Sequence, residues 1–365
     1  MGDQPELEVL AQHSSAERFG NPRHTVWVGT LENVISMVKC SIMSEQQSKL
    51  SEISLVARNY GDGLVVEDVL HDWFRFLGGK PGEVVIVDGG SNAETQAVYW
   101  KLFQEGLIDK LQIIKPNHED NNHSRGYIQI YTAGSIASKP YLLWFNIDTL
   151  PYREGHDNWL TESIDYLDRD DVFAIGGSFN LPSKHHDAWP GWYFSHKCSL
   201  NFALMKRKTF MAAMHEYAGD YIASGFLGKN PSEEPGTDRA RYILEIALEE
   251  YIKRHNVYTL CKVEDVNWTV FHTNTHEERL KKARERYLER KDIKRFMNIG
   301  FSDAEPIPAN ALYYGQPSIG RLKQLRIAFG KSPIGQSWRW LKETINTGFR
   351  RFTSMWERRK TSPVR

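Results

Sequence analysis

The sequence has few cysteines, no long apolar run and no excess of either charge. Its three cysteines, Cys40, Cys198 and Cys261, lie far apart, which excludes a disulfide framework and favours a reducing compartment. No apolar run reaches the ~18–20 residues of a membrane span, and the opening segment MGDQPELEVL has no signal-like apolar core. Lys plus Arg and Asp plus Glu each total 46. We therefore expect a cytoplasmic protein whose total charge favours no class of partner.

The balanced total charge conceals a basic C-terminal segment. Residues 318–365 contain twelve Lys and Arg against two Glu. Large apolar residues recur there at helical spacing, which predicts one amphipathic helix: Trp338, Leu341, Ile345, Phe349, Phe352 and Trp356. Such a helix suits peripheral attachment to the inner face of an anionic membrane, and docking on the rest of the chain or on a second copy is the alternative. Nucleic acid is not expected as a partner, because no recognised binding module accompanies the basic residues.

From residue 51 the sequence alternates between apolar strand-like runs and segments with helical spacing. This order predicts a parallel sheet covered by helices on both faces, hence an α/β fold. Strands are predicted at 51–58, 83–88, 111–116 and 141–148, and helices at 65–77, 93–105, 127–138 and 157–167. Further strands are predicted at 172–180, 198–210, 257–262 and 267–272, with helices at 243–254 and 277–297.

The chain length and this pattern predict four regions. Residues 1–50 form an N-terminal extension, with a strand at 24–28 and a helix at 31–44. Residues 51–275 form the main domain, residues 276–317 a charged helix and linker, and residues 318–365 the basic tail. A main domain of this size can bury its own core.

Two predicted strands end in carboxylates, and a later apolar run ends in a histidine. Asp88 closes EVVIVD, Asp148 closes YLLWFNID, and His272 closes NWTVFH. The carboxyl ends of parallel strands share one edge of a sheet, where ligands bind, so Asp88 and Asp148 should line one crevice. Carboxylate oxygen suits Mg²⁺ or Mn²⁺, and imidazole can join for Mn²⁺. The alternatives are a turn cap for Asp88 and a hydrogen-bonded core histidine for His272.

The region from residue 53 to residue 272 resembles inverting, family 2-like glycosyltransferases of the GT-A fold. EVVIVDGGSNAET is similar to that family's strand, acid and turn, and YLLWFNIDTLP is similar to its strand leading into D-x-D. Gly134 is similar to a helix glycine that the family has upstream of that strand. NFALMKRKTF is similar to a family strand followed by a basic turn. The segment ending in His272 is similar to the family segment that ends in a metal-binding histidine. The resemblance implies an enzyme that transfers a sugar from a nucleotide diphosphate, such as a UDP- or GDP-sugar.

The resemblance implies roles for particular residues around the donor. Ala57, Arg58 and Asp88 would face the base and ribose, while Asp148 and His272 would hold the cation at the diphosphate. Asn146 stands where the family has the first Asp of D-x-D. An amide keeps the capacity to hydrogen bond but removes one negative charge, so it should weaken cation binding and also reduce repulsion of the diphosphate.

The acceptor side of the predicted site is less defined. The family's base lies in an acidic pair that is missing here, and counting back from HNVYTL assigns the base to Glu245, with Asp238 as its rival. A carboxylate would take the proton of the acceptor hydroxyl. Three aromatic residues in the preceding loop region are expected to stack on an acceptor sugar: Trp189, Trp192 and Tyr193.

We therefore expect an inverting glycosyltransferase that acts on a glycan or a lipid-linked acceptor, as in polysaccharide biosynthesis. The alternative is a GT-A-like protein that binds nucleotide sugar or glycan without turnover, and its support is the missing acidic pair and Asn146. A nucleotidyltransferase is a further alternative, disfavoured because no early Gly-rich loop with Arg and Lys is present for a triphosphate.

Overall fold

The computed structural model describes residues 46–114, 122–177, 183–185, 189–226, 243–297 and Tyr314. The predicted elements at 24–28 and 31–44 and the predicted helical tail lie outside these residues. Among the described residues, no helix is long and apolar enough to cross a membrane.

One large sheet of nine strands organises the described chain. Its order is β3-β2-β1-β4-β9-β6-β10-β8-β7, and all but β9 and β8 point in the same direction. The strands are β1 Ile53–Asn59, β2 Glu83–Asp88, β3 Lys110–Ile113, β4 Tyr141–Phe145, β6 Val172–Gly176, β7 Ser183–His185, β8 Trp192–Ser195, β9 Phe202–Lys206 and β10 Tyr258–Lys262. The predicted α/β class, with a mostly parallel sheet flanked by helices, is confirmed.

Helices pack on both faces of this sheet, which separates two core clusters. The helices are α1 Val66–Leu77, α2 Ala93–Gln104, α3 Asn122–Ile136, α4 Trp159–Leu167, α5 Arg207–Ala223, α6 Ile243–His255 and α7 Glu277–Leu288. One cluster packs α1 and α4 on the sheet through Trp73 and Trp159, and the other packs α3 and α5 through Tyr127 and Phe210. Strand β2 is buried along its whole length, as expected for a strand covered on both faces.

A second, two-stranded sheet lies outside the predicted pattern. Strand β5 (Thr149–Arg153) pairs antiparallel with β11 (Trp268–His272), and His272 lies opposite Thr149. The predicted strand at 141–148 therefore ends at Phe145, and a new strand begins directly after Asp148. This ribbon brings the last predicted strand back to the end of β4.

Three further predictions of element bounds were wrong. The strand predicted at 111–116 ends at Ile113, and the chain after β9 continues into helix α5 rather than a turn. The charged helix predicted at 277–297 ends at Leu288, followed by a short 3₁₀ turn at Ile293–Arg295. Arg290 breaks the helix because it adopts a φ of +58°, where its guanidinium carbon lies 3.8 Å from the ring centre of Tyr152.

Candidate functional site

The carboxyl ends of β1, β2 and β4 meet at one edge of the sheet, as the sequence predicts. Asn59 pairs with Asp88 at the ends of β1 and β2, and Asn146 and Asp148 follow directly after β4. Strands β1 and β4 run parallel and side by side. Polar side chains from three loops are therefore gathered where a doubly covered sheet offers a ligand crevice.

Asp148 and His272 form the centre of this edge. The His272 Nε2 atom lies 2.9 Å from the Asp148 Oδ2 atom, and the two side chains are only 14% and 10% exposed. Thr273 fixes the backbone of Asp148 by donating to its carbonyl from both N–H and Oγ1, at 2.9 and 3.0 Å. The ribbon of β5 and β11 thus brings together two side chains separated by 124 positions along the chain.

Two amides extend this pair into a chain of four hydrogen-bonded side chains. Asn146 Nδ2 donates to Asn201 Oδ1, and Asn201 Nδ2 lies 3.2 Å from His272 Nδ1. Asn201 precedes β9, which runs antiparallel to β4 so that Phe202 pairs with Phe145. That register carries Asn201 to the carboxyl end of β4, although it is far from Asn146 in sequence.

The donor set at Asp148 and His272 is compatible with a divalent cation. A carboxylate oxygen suits Mg²⁺ or Mn²⁺ and an imidazole nitrogen can join it for Mn²⁺, and the two atoms lie 2.9 Å apart. Among the described residues, no cluster of three or more His, Cys, Asp or Glu could hold a metal ion. The pair therefore suits a cation that completes its shell with substrate phosphates and water.

Asp88 lies in a tight turn at the neighbouring strand end. Its carboxylate accepts from the N–H groups of Gly90 and Ser91 at 3.2 and 2.9 Å, and from the Ser91 hydroxyl, and the residue is fully buried. Ser91 Oγ also accepts from the Gly61 N–H at 2.8 Å, which joins the β1 and β2 loops. These contacts are those of a turn cap, and a contact of Asp88 with a nucleotide stays a prediction.

A buried tyrosine strengthens the same junction. Tyr99 on α2 hydrogen bonds with Asn59 Nδ2, and its hydroxyl lies 3.3 Å from the Gly61 carbonyl. Burial and the nearby Asp88 carboxylate raise the pKa of Tyr99 well above its usual range, so its hydroxyl stays neutral. Behind the junction, Gln129 donates to the Asn59 carbonyl at 3.0 Å. The loops after β1 and β2 are therefore held in one arrangement.

The remaining predicted donor residues occupy different positions on β1. Ala57 is fully buried in the core cluster beneath α1, whereas Arg58 is partly exposed. Tyr60, which the sequence analysis did not single out, follows β1 and is 67% exposed. An exposed aromatic at the crevice edge offers a flat surface to a nucleotide base.

A second carboxylate–imidazole pair lies at the same edge of the sheet and was also missed by sequence reasoning. Asp62, in the loop after β1, is buried and accepts from His276 Nδ1 and from the Glu277 N–H, both at 2.8 Å. The hydrogen bond to Asp62 raises the pKa of His276 against the opposing effect of burial, and the charges of Asp62, Asp148 and Glu277 raise it further. The spacing of His272 and His276 is the only sequence signal that points to this pair.

The predicted acceptor aromatics lie at the far side of the large sheet. Trp189 and Trp192 are 3% and 1% exposed. Trp192 donates to Glu162 Oε1 at 3.0 Å, and Trp189 packs against the rings of Phe194 and Tyr258. Tyr193 is partly exposed on β8. In this arrangement both indoles are packed in the core, and acceptor contacts of all three residues stay a prediction.

The two candidate bases differ in how far the structure describes them. The backbone of Glu245 lies in the first turn of α6, which packs against α5, and its side chain is not among those described. Asp238 lies outside the described residues. Neither assignment is tested by the geometry, so both alternatives stay open.

No protein-family model and no curated protein sequence matches this chain. Similar solved structures include the mannosyltransferase PcManGT from Pyrobaculum calidifontis in complex with GDP-Man and Mn²⁺, at 11% identity and a TM-score of 0.32, covering 62% of this chain and 87% of that chain. S. aureus TarS 1–349 matches at 11% identity and a TM-score of 0.32, covering 54% and 55%. GalNAc-T7 with UDP, GalNAc and Mn²⁺ matches at 12% identity and a TM-score of 0.38, covering 81% and 57%.

These similarities concern the fold alone. The matched regions span little more than half of the TarS and GalNAc-T7 chains.

Proposed function

We propose that the chain is an inverting glycosyltransferase of hexosyltransferase type, which moves a sugar from a nucleotide diphosphate to a hydroxyl of a glycan or lipid-linked acceptor. The observation that carries this proposal is the pairing of Asp148 with His272 at the carboxyl edge of the sheet. A two-stranded ribbon brings this nearly buried carboxylate and imidazole together from distant parts of the chain. They lie where α/β sheets bind their ligands.

In this proposal the donor lies across the loops that follow β1, β2 and β4. Asp148 and His272 would hold Mn²⁺ or Mg²⁺, which when bound neutralises negative charge on the departing diphosphate. Tyr60 and Arg58 would flank the base and ribose, with Asp88 as a further donor contact. A protonated His276, held by Asp62, would add positive charge on the same side as Asp148.

On the acceptor side, a carboxylate from Glu245 or Asp238 would remove the proton of the attacking hydroxyl as the new glycosidic bond forms. The acceptor oxygen would then displace the diphosphate from the opposite face of the sugar, which inverts the anomeric centre. Trp189, Trp192 and Tyr193 remain the proposed acceptor contacts, although both indoles are packed in the core.

The donor site is tested by thermal unfolding with UDP and GDP, each with and without Mn²⁺. A ligand present at a hundred times its Kd should stabilise the chain by about 2.7 kcal/mol. His272→Gln should lose the part of this shift that depends on Mn²⁺, because it removes one of two protein ligands. No shift with any nucleoside diphosphate, with or without Mn²⁺, would contradict the proposal.

A matched control for that experiment exists elsewhere in the chain. His156 and Asp265 form a similar imidazole–carboxylate pair, at 2.7 Å, at the opposite end of the same ribbon. His156→Gln removes an equivalent side chain outside the site. It should keep the full shift with Mn²⁺, so equal losses in both variants would point to a general effect on stability.

The base is identified by comparing Glu245→Gln with Asp238→Asn in a transfer or donor-hydrolysis assay. Loss of a general base lowers kcat by about 10²–10⁴-fold and should leave the nucleotide-dependent thermal shift intact. Glu250→Gln, an exposed position on the same helix, is the control and should keep full activity. Donor binding without turnover in the wild-type chain would instead favour a nucleotide-sugar-binding protein.

A further inference from the structure

We propose that Tyr314 is a positioning residue of the site, which fixes the end of β11 and thereby holds His272 beside Asp148. The sequence assigns residues 276–317 to a charged helix and linker, and the structure places Tyr314, within them, on the backbone of His272. The consequence for cation binding rests on the proposed function, whereas the position of His272 is a property of the free protein.

The peptide group between His272 and Thr273 is held on both of its edges. The Tyr314 N–H donates to the His272 carbonyl at 2.8 Å, and the Thr273 N–H donates to the Asp148 carbonyl at 2.9 Å. A trans peptide group is planar, with its C=O and N–H pointing in opposite directions. Hydrogen bonds on both edges therefore fix the orientation of the whole plane, and with it the direction in which the His272 side chain leaves the backbone.

The contact with Tyr314 lies where the two-stranded ribbon ends. His272 is the last residue of β11 and pairs with Thr149, the first residue of β5. Two residues later the chain turns away at Asn274, which adopts a φ of +51°. Ends of secondary-structure elements open more readily than their centres. A contact on the free edge of β11 therefore acts at the position where the ribbon is most easily opened.

Tyr314 can hold this backbone because its own ring is packed in the core. The residue is 1% exposed, and its ring stacks on that of Phe271, with centres 5.6 Å apart and an angle of 10° between the planes. The rings of Tyr287 and Phe296 meet it edge-on, at 5.3 and 4.7 Å. Aromatic pairs of both kinds stabilise a buried ring beyond the area that they bury. The ring thus ties the end of β11 to helix α7 and the turn after it.

The hydroxyl of Tyr314 adds a second anchor, on the side of the ring away from the backbone. It donates to Asp292 Oδ1 at 3.0 Å, and Asp292 is in turn paired with Arg286 on α7. Burial, and then the hydrogen bond with Asp292, raise the pKa of Tyr314 above its usual range, so the hydroxyl stays protonated and can donate. The ring and the hydroxyl together keep the Tyr314 N–H at the His272 carbonyl.

The position of His272 is tested in the ligand-free full chain by NMR order parameters of the His272 and Thr273 amides. In the wild type we expect the ~0.85 of a rigid backbone, and in Tyr314→Ala a fall toward the values below ~0.6 of a flexible one. Tyr314→Phe keeps the N–H and the stacked ring, so it should keep the wild-type values. Amide hydrogen exchange of the wild type provides a readout that needs no variant, because the Tyr314 and Thr273 amides should both be protected.

Tyr152→Ala is the matched control for loss of a ring. Tyr152 lies on the same ribbon, opposite Thr269, and its ring also packs against Tyr287. Because it lies away from His272, its removal should lower the stability of the chain without changing the order parameters at His272.

The effect on the cation is tested by titrating the same proteins with Mn²⁺ alone. Changes around a ligand histidine alter metal affinity by about 10–100-fold, so Tyr314→Ala should bind Mn²⁺ at least about tenfold more weakly. Tyr314→Phe and Tyr152→Ala should both bind it as the wild type does.

The outcomes separate this proposal from the glycosyltransferase proposal. Unchanged order parameters at His272 in Tyr314→Ala, or equal changes in Tyr152→Ala, would overturn the role of Tyr314. Rapid exchange of the Tyr314 amide in the wild type would overturn it even if Tyr314→Ala failed to fold. The expected order parameters in a protein that binds neither Mn²⁺ nor a nucleoside diphosphate would support the positioning of His272 and reject the donor site.

Discussion

At the scale of single residues, the two imidazole–carboxylate pairs at the crevice differ in exposure. His272 and Asp148 are both nearly buried, whereas the His276 ring is 68% exposed above a buried Asp62. The exposed ring can exchange protons with solvent, whereas its partner Asp62 is buried. His276 is therefore the residue through which pH should act on this edge of the sheet.

The variant Asp62→Asn should lower the pKa of His276 toward its usual ~6.5, because the hydrogen bond and charge that raise it are weakened. A histidine pKa raised by folding adds stability below the unfolded-state value, and that contribution is lost as pH rises through the folded value. The stability advantage of the wild type over Asp62→Asn should thus shrink as pH rises above ~6.5. NMR titration of His276 and urea unfolding measured from acid to alkaline pH provide the two readouts.

Asp265→Asn is the matched control for this titration, since Asp265 binds His156 in a similar pair. It should leave the pKa of His276 unchanged. An unaltered His276 titration in Asp62→Asn would show that the hydrogen bond between them contributes nothing to its charge.

At the scale of elements, the contact of α3 with α5 depends on a missing side chain. A Cβ atom on Gly134 would lie 2.4 Å from Phe210 Cε1 and 2.9 Å from its Cδ1. Both helices pack on the sheet through the same core cluster, so neither can easily move away. The glycine that matched the family pattern is thus explained by the close packing of two helices.

Gly134→Ala should destabilise the protein by about 1–3 kcal/mol, the usual cost of overpacking a core. Alanine is intrinsically better in a helix by up to about 1 kcal/mol, which reduces but does not reverse the loss. Gly219→Ala, on α5, should instead leave the protein as stable or make it more stable. No atom lies within 4 Å of the added Cβ, so only the better helix propensity of alanine acts there. Urea unfolding of both variants checks the signs, and a stabilised Gly134→Ala would contradict the packing explanation.

At the scale of the whole molecule, charge is divided between an acidic body and the basic residues 318–365. This separation, together with the aromatic stripe in that segment, supports our proposal that the tail lies on an anionic membrane surface. If the proposed function holds, a membrane surface would also place the protein beside a lipid-linked acceptor. Because the attraction is electrostatic, it should weaken as salt screens it.

The full chain should therefore sediment with vesicles that contain anionic lipid, and less so as salt is raised. A chain that ends at residue 317 should stay in solution while keeping its nucleotide-dependent thermal shift. Neutral vesicles are the control. Equal sedimentation of the two chains would reject the membrane role and favour a tail that docks on protein.

Much of the fold follows from local patterns that the sequence shows directly. Apolar runs such as EVVIVD become buried strands, helical spacing becomes helices, and the alternation of the two produces the parallel sheet. Asp88 and Asp148 could be placed at one edge because parallel strands all end on the same side. His272 could be predicted as a site residue because it ends an apolar run, and because the order of the motifs before it resembles that of the glycosyltransferase family.

What the tertiary structure alone decided is which side chains meet. The antiparallel insertion of β9 beside β4 carries Asn201 to Asn146 and His272, and the loop after β1 carries Asp62 to His276. These contacts depend on strand register and chain crossing between distant segments, which no local periodicity encodes. The sequence by itself therefore determined the sheet and the presence of an amide at position 146, and only folding showed that this amide contacts Asn201, which in turn contacts His272.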